Sequence, residues 1–110
     1  MPATPAEVKA FIKAHLAEIA GPECIAAGLG CCYETLRKRF RRETSVSLGT
    51  CLNEMRVARM QQLLAETDLT CREIYAAVGL MREDTASKLF KRLTGMTMTA
   101  YRAQQRRVGE

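Results

Sequence analysis

The sequence holds a single histidine, His15, and although it holds five cysteines, no two of them stand in a Cys-x-x-Cys spacing. A thiolate or mixed thiolate–imidazole zinc site needs its ligands delivered in close pairs, so these residues argue against a metal centre, and no cofactor is expected. Cys24, Cys31, Cys32, Cys51 and Cys71 are odd in number, and only Cys31 and Cys32 adjoin. They read as small buried apolar residues of a reducing compartment, not as a disulfide framework. No apolar run approaches the length of a membrane span, and the opening Met-Pro-Ala-Thr-Pro lacks the basic and apolar segments of a secretion signal. The expectation is a soluble, cytoplasmic protein with no membrane partner. Strand-like alternation and low-complexity linkers are also missing. An enzyme, for example a cysteine-dependent alkyl acceptor, is the weakest functional class, because no nucleophile stands beside a sequence-evident base.

What the sequence does have is helical periodicity and an excess of basic charge, formally +5 over 110 residues. Such a length suffices for one domain, or for two small lobes, without covalent staples. The charge points to an anionic partner while saying nothing about fold. Thr4-Pro5-Ala6-Glu7 marks a helix start, with Thr4 as N-cap, Pro5 at the first helical position and Glu7 closing a capping box. Val8, Phe11, Ile12, Leu16 and Ile19 then share one face as far as Gly21-Pro22, and His15 falls on that same stripe. A short second helix carries Ile25, Ala26 and Leu29 inward before Gly30. The third is "YETLRKRFRRE", in which Tyr33, Leu36 and Phe40 form an apolar stripe and Arg37, Lys38, Arg39, Arg41 and Arg42 take the other arc. Two short helices around a glycine turn, the second basic outside and apolar inside, have the pattern of a helix-turn-helix.

The unit occurs twice. Setting Phe40 against Phe90 aligns Lys38-Arg39-Phe40-Arg41-Arg42 with Lys88-Leu89-Phe90-Lys91-Arg92, and Thr44-Ser45-Val46-Ser47 with Thr94-Gly95-Met96-Thr97. Ile25 through Gly30 matches Ile74 through Gly79 once the second turn is allowed one more residue. Thr70-Cys71-Arg72-Glu73 supplies a second capping box. Between the repeats, Leu48, Leu52, Met55 and Leu63 lie on one side of a helix and Val57, Met60 and Leu64 roughly opposite, so that helix can pack at both ends. Thr97 caps a last short helix from Met98 to about Arg107 that ends in solvent-facing charges.

In order and spacing these segments resemble the DNA-binding domain of the bacterial AraC/XylS transcription regulators. The resemblance rests on "LRKRFRRETSVSL" in the first unit. In the second it rests on "TDLTCREIYAAVGL" and "SKLFKRLTGMTMTAYR", with Ile74, Ala77, Val78, Gly79, Ser87, Phe90, Lys91, Gly95 and Tyr101. It implies an all-α fold of two helix-turn-helix lobes, residues 1–46 and 67–110, joined by a linker helix over 47–66. The chain departs from the family pattern at Cys32 and Met81, where a capping serine is usual, at Ser45 for glycine, at Ala86 for an aromatic and at Met98 for proline. Ala86 suggests a thinly packed second lobe, and Met81 a poorly capped sixth helix.

Carried over by position, the resemblance implies base reading by Glu34, Arg37 and Lys38 in the third helix and by Glu83, Asp84, Ser87 and Lys88 in the sixth. Arg41, Arg42, Lys91 and Arg92 lie about a turn further on and read as phosphate contacts or as part of the general positive field, and Arg39 stays unassigned. The implied partner is double-stranded DNA with two dissimilar half-sites about one turn apart. RNA polymerase and a covalently attached sensor or receiver domain are further partners that the resemblance admits. The competing reading is a helical protein-interaction module, such as a polymerase adaptor, whose cations serve only solubility.

Overall fold

The computed structural model describes residues 3–108; Met1, Pro2, Gly109 and Glu110 lie outside that range. Seven α-helices make up the described chain: α1 Pro5–Ala14, α2 Pro22–Leu29, α3 Tyr33–Thr44, α4 Leu48–Glu66, α5 Cys71–Ala77, α6 Glu83–Thr94 and α7 Met98–Val108. They fall into two compact units that divide within α4, between Met55 and Arg56.

In the first unit α1 begins with the expected capping box. The Thr4 hydroxyl accepts the Glu7 N–H at 3.2 Å, and the Glu7 carboxylate accepts the Thr4 N–H at 3.5 Å. The helix stops at Ala14, short of the Gly21 boundary that apolar spacing predicts, and Leu16–Glu18 wind into a 3-10 turn. Tighter winding places residues three apart in line, which lets Leu16 and Ile19 both face the core. His15 is left at the break, exposed, its ring centroid 4.6 Å from that of Phe11 and its Nδ1 3.3 Å from Glu18. Phe11 itself lies over α2, so close to Gly28 that a Cβ there would collide with the ring. Helix α3 packs on α1 and α2 through Leu36 and Phe40, which are buried with Val8, Ile12 and Ile25.

The second unit repeats this plan. Thr70 and Glu73 form the second capping box. Cys31 N–H bonds to the Ala26 carbonyl at 2.9 Å in the first turn, and Leu80 N–H to the Tyr75 carbonyl at 2.9 Å in the second. These are matching C-terminal closures around Gly30 and Gly79. The extra residue follows them. It makes Arg82, not Met81, the N-cap of α6, and Met81 stands 86% exposed. Ala86, Leu89 and Phe90 are buried, with Phe90 meeting Tyr101 edge-on at 5.6 Å.

The repeat extends to individual hydrogen bonds. Thr44 Oγ1 donates to the Phe40 carbonyl at 2.8 Å and accepts the Val46 N–H at 3.2 Å; Thr94 Oγ1 does the same with Phe90 and Met96 at 2.8 and 3.2 Å. Ser47 and Thr97 then cap the next helices, accepting the N–H of Thr50 and Ala100, each at 3.1 Å.

Two further expectations need correction. The cysteines are not uniformly buried: Cys51 is, but Cys24 and Cys32 are exposed and Cys31 and Cys71 half-buried, because all but Cys51 sit at helix starts or turns rather than on a core stripe. Nor are the charges of α7 simply solvated. Arg102 donates to the carbonyls of Leu64 and Thr67 at 3.1 Å each, and Arg106 to the Thr67 carbonyl at 3.0 Å and to Asp68 at 2.6 Å. Both therefore close the C-terminus of α4, where orphan carbonyls favour cations. Arg56, buried on α4, donates to the Val78 carbonyl at 3.0 Å and so ties down the end of α5.

Ser45, at φ 65°, is the non-glycine residue in left-handed backbone among those described, and Gly95 holds the matching place at φ 79°. A side chain in that region is strained where glycine is not. Ser45→Gly is expected to stabilise the protein by about 0.5–1 kcal/mol in urea unfolding, and Gly95→Ala to destabilise it by about the same amount. Equal midpoints for parent and Ser45→Gly would show that the serine conformation carries no strain.

Candidate nucleic-acid interface

With Leu36 and Phe40 turned into the core, helix geometry sends Lys38, Arg41 and Arg42 outward and leaves Arg37 and Arg39 half-buried beside the stripe. Arg37, Lys38, Arg41 and Arg42 come together with Ser45 around one open groove of about 550 Å³. Lys38, Arg41 and Arg42 are exposed and Arg37 is half-buried. Glu34 lies a turn before Arg37 and pairs with it, Oε2 to Nη2, at 2.7 Å. Arg39, unassigned from sequence, is half-buried and paired with Glu43 at 2.8 Å, which withdraws it from the cationic face.

Electrostatics follow from these contacts. The hydrogen bond and charge of Arg37 hold the Glu34 carboxyl below the ordinary carboxylate value, and Glu34 in turn raises the Arg37 guanidinium. At the start of α3, Cys32 is the N-cap. The backbone N–H and hydroxyl of Thr35, with the N–H of Glu34, favour its thiolate and lower its pKa, as expected at the positive end of a helix.

In the second unit Glu83, Asp84, Ser87, Lys88, Lys91 and Arg92 are all exposed on α6. They are not gathered as in α3. Glu83 and Ser87 border a hollow of about 520 Å³ with Arg72, Tyr75 and Thr97, while Asp84 pairs loosely with Arg82 at 3.5 Å. Acids at the first turn and Lys91 and Arg92 at the last also complement the helix dipole. Sequence reasoning missed Arg56, Arg72 and Arg102. Only Arg72 borders a candidate surface, and its place in the capping-box segment gave no sign of that.

Among the described residues no helix is long and apolar enough to cross a membrane, and no group of His, Cys, Asp and Glu could hold a metal ion.

Comparison with known proteins adds three findings. The family described as a helix-turn-helix domain matches residues 25–104. Among curated proteins, the chain is 30% identical over 77 residues to the HTH-type transcriptional activator RhaR of Enterobacter sp. (strain 638), covering 70% of this chain and 27% of that one. It is 32% identical over 72 residues to RhaR of Escherichia coli O1:K1 / APEC, covering 66% and 26%. The chain thus spans about a quarter of the length of these relatives. Among solved structures, the DNA-binding domain of AdpA, the global transcriptional factor, in complex with a target DNA, matches with a TM-score of 0.84 at 31% identity, over 93% of this chain and 92% of that one. A DNA-binding transcriptional dual regulator from Escherichia coli K-12 shares the fold, with a TM-score of 0.85 at 23% identity over 97% and 96% of the two chains.

The Glu34–Arg37 pair can be checked directly. In Arg37→Ala the Glu34 carboxyl should titrate at higher pH than in the parent, read by NMR from its side-chain carbon. Because the folded carboxyl is depressed, whatever the pair adds to stability is present above the ordinary carboxylate value and fades as pH falls through the folded one. Identical titrations in parent and variant would mean that the pair does not persist in solution.

Proposed function

The chain belongs to the helix-turn-helix domain family, and from that we propose that it is of the AraC-like tandem kind and binds double-stranded DNA sequence-specifically to regulate transcription. Recognition helices α3 and α6 would enter successive major grooves. The observation that carries this reading is the cationic groove of α3, with Arg37, Lys38, Arg41 and Arg42 gathered on the solvent face of a helix whose other face is fixed in a core. Helix spacing sets these cations side by side on one face, and a polyanion would meet them with several phosphates at once. RhaR is an HTH-type activator and AdpA's domain is seen on DNA, which supports the same role here, a non-catalytic one. A protein-interaction module is less well supported, since Met81 and Leu93 alone are exposed large hydrophobics among the described residues.

Within this reading Arg37 and Lys38 have the donors for guanine O6 and N7, and Glu34, Glu83 and Asp84 can accept from cytosine N4. Ser87 and Lys88 read bases from α6. Arg41, Arg42, Lys91 and Arg92 hold phosphates and set register. The domain organisation we propose is a first lobe over 1–46, a linker helix over 47–66 and a second lobe over 67–110. RNA polymerase and an attached sensor or receiver domain are the proposed further partners.

Arg37→Ala should cost about 1–3 kcal/mol on the preferred site and relax one base pair. The Arg41→Ala/Arg42→Ala double variant should weaken preferred and random duplex alike and flatten the salt dependence by about one unit for each phosphate no longer neutralised. Unchanged salt dependence in the double variant would remove these two residues from the phosphate class.

Two lobes on one duplex require half-sites in phase. Inserting about five base pairs between them should turn one half-site to the far face and bring affinity near the non-specific level. Full affinity on the inserted site, measured at fixed salt, would mean that only one lobe engages DNA.

A further inference from the structure

One cation of the α3 groove is held by a carboxylate. Arg37, Lys38, Arg41 and Arg42 line the groove, and Glu34, one turn before Arg37 and not itself lining it, bonds to Arg37 at 2.7 Å. An ion pair as exposed as this one adds little to stability. A carboxylate at the rim of a surface meant for phosphates also works against affinity, as like charges facing each other do. Neither consideration explains why Glu34 bonds the half-buried arginine of the groove, while exposed Lys38 acts on that carboxyl through its charge alone.

We propose that Glu34 and Arg37 act as one specificity-determining unit that recognises the major-groove edge of a single G·C pair. The proposal rests on the DNA-binding reading above and deepens it. Across that edge a G·C pair presents two acceptors, guanine N7 and O6, followed by one donor, the cytosine N4 amino group. The bonded pair presents the complement. The guanidinium of Arg37 is a planar fork whose bond to Glu34 runs from Nη2, leaving further N–H donors on the same plane, and the Glu34 carboxylate brings an acceptor beside them. An A·T pair in the same place would set its adenine amino donor against the arginine fork.

Glu34 has two effects in this arrangement. It fixes a side chain that would otherwise sample many rotamers, so that less order has to be imposed on binding. It also makes the N-terminal end of α3 a poor neighbour for phosphates, directing Arg37 to a base edge and leaving the backbone to Arg41 and Arg42. The second unit lacks the device. At the places matching Glu34 and Arg37 stand Asp84 and Ser87, and Asp84 turns instead to Arg82 at 3.5 Å. The pair thus distinguishes the reading of the first lobe from that of the second.

The test selects binding sites from a pool of random duplexes at one salt concentration with the parent, Glu34→Ala, Glu34→Gln, Arg37→Ala and the Glu34→Ala/Arg37→Ala double variant. Thermal unfolding confirms that each is folded. Glu34→Ala should lose about ten-fold of the G·C preference at one position of the selected site, leave the other positions intact, and bind the unselected pool several-fold more tightly. Arg37→Ala should lose the same position, and the double variant should lose no more there than either single, as residues acting as a unit do. Glu34→Gln, which keeps the shape without the charge, should fall between parent and Glu34→Ala. If the parent selects a sequence and Glu34→Ala selects the same one with undiminished preference, or if the two single variants lose different positions, the joint role is overturned while DNA reading stands. A parent that enriches no sequence would overturn the reading function itself.

Discussion

Burial of Phe40 and Phe90 is the constraint on which the rest of the molecule depends. Each is almost wholly removed from water, and truncating such a ring in a core costs about 3–5 kcal/mol. Once the ring is fixed inward, helical geometry leaves no choice about its neighbours. Residues two positions before it and one and two after it swing to the solvent side, and in α3 these are Lys38, Arg41 and Arg42, with Arg37 half-buried at the edge of the apolar stripe. The ring's own carbonyl is used as well. Phe40 and Phe90 each accept a threonine hydroxyl that also holds the first residue beyond the corner, so the helix presenting the cations and the turn leaving it are set by one side chain.

Three kinds stand out among the cations. Some are used up inside the protein: Arg56 on the Val78 carbonyl, Arg102 and Arg106 on the end of α4, and Arg39 on Glu43. Others are gathered and exposed, as in the α3 groove. Arg37 belongs to neither kind, being gathered yet held by an acid. Net charge sums over all three and therefore overstates what is offered to a polyanion. The two units, alike to a tenth of an ångström in their threonine corners, differ most in this division. The first presents clustered cations; the second presents acids at the start of α6 with Lys91 and Arg92 at its end. Structural hydrogen bonds are duplicated while surface charge is not, as suits a fold used twice for two different surfaces.

Much of this was legible in the sequence because the signals are local. A capping box depends on residues three apart, so Thr4 with Glu7 and Thr70 with Glu73 could be read directly. A docked helix depends on a repeat of three and four residues, so the α3 stripe and the two-sided α4 could be read as well. The break of α1 at His15 could not be, because apolar residues at 16 and 19 suit an α-helix and a 3-10 turn almost equally. The N-cap of α6 lies one residue beyond the place that sequence suggests for a related reason: a longer turn shows as an extra residue, but not which residue ends it.

What the sequence by itself determined is the all-α character, the duplicated unit and the face of α3 that carries charge, all consequences of periodicity along one chain. Only the tertiary structure decided which cations are available. Arg102 and Arg106 occupy helix positions that read as solvated, and meet the carbonyls of Leu64 and Thr67 only because folding brings α7 to the end of α4. Arg56 sits on an apolar helix face with no sequence sign that its guanidinium has a carbonyl to reach. A basic side chain is long and its partner can be any orphan acceptor within reach, so its role is fixed by distance in space and not by spacing in sequence.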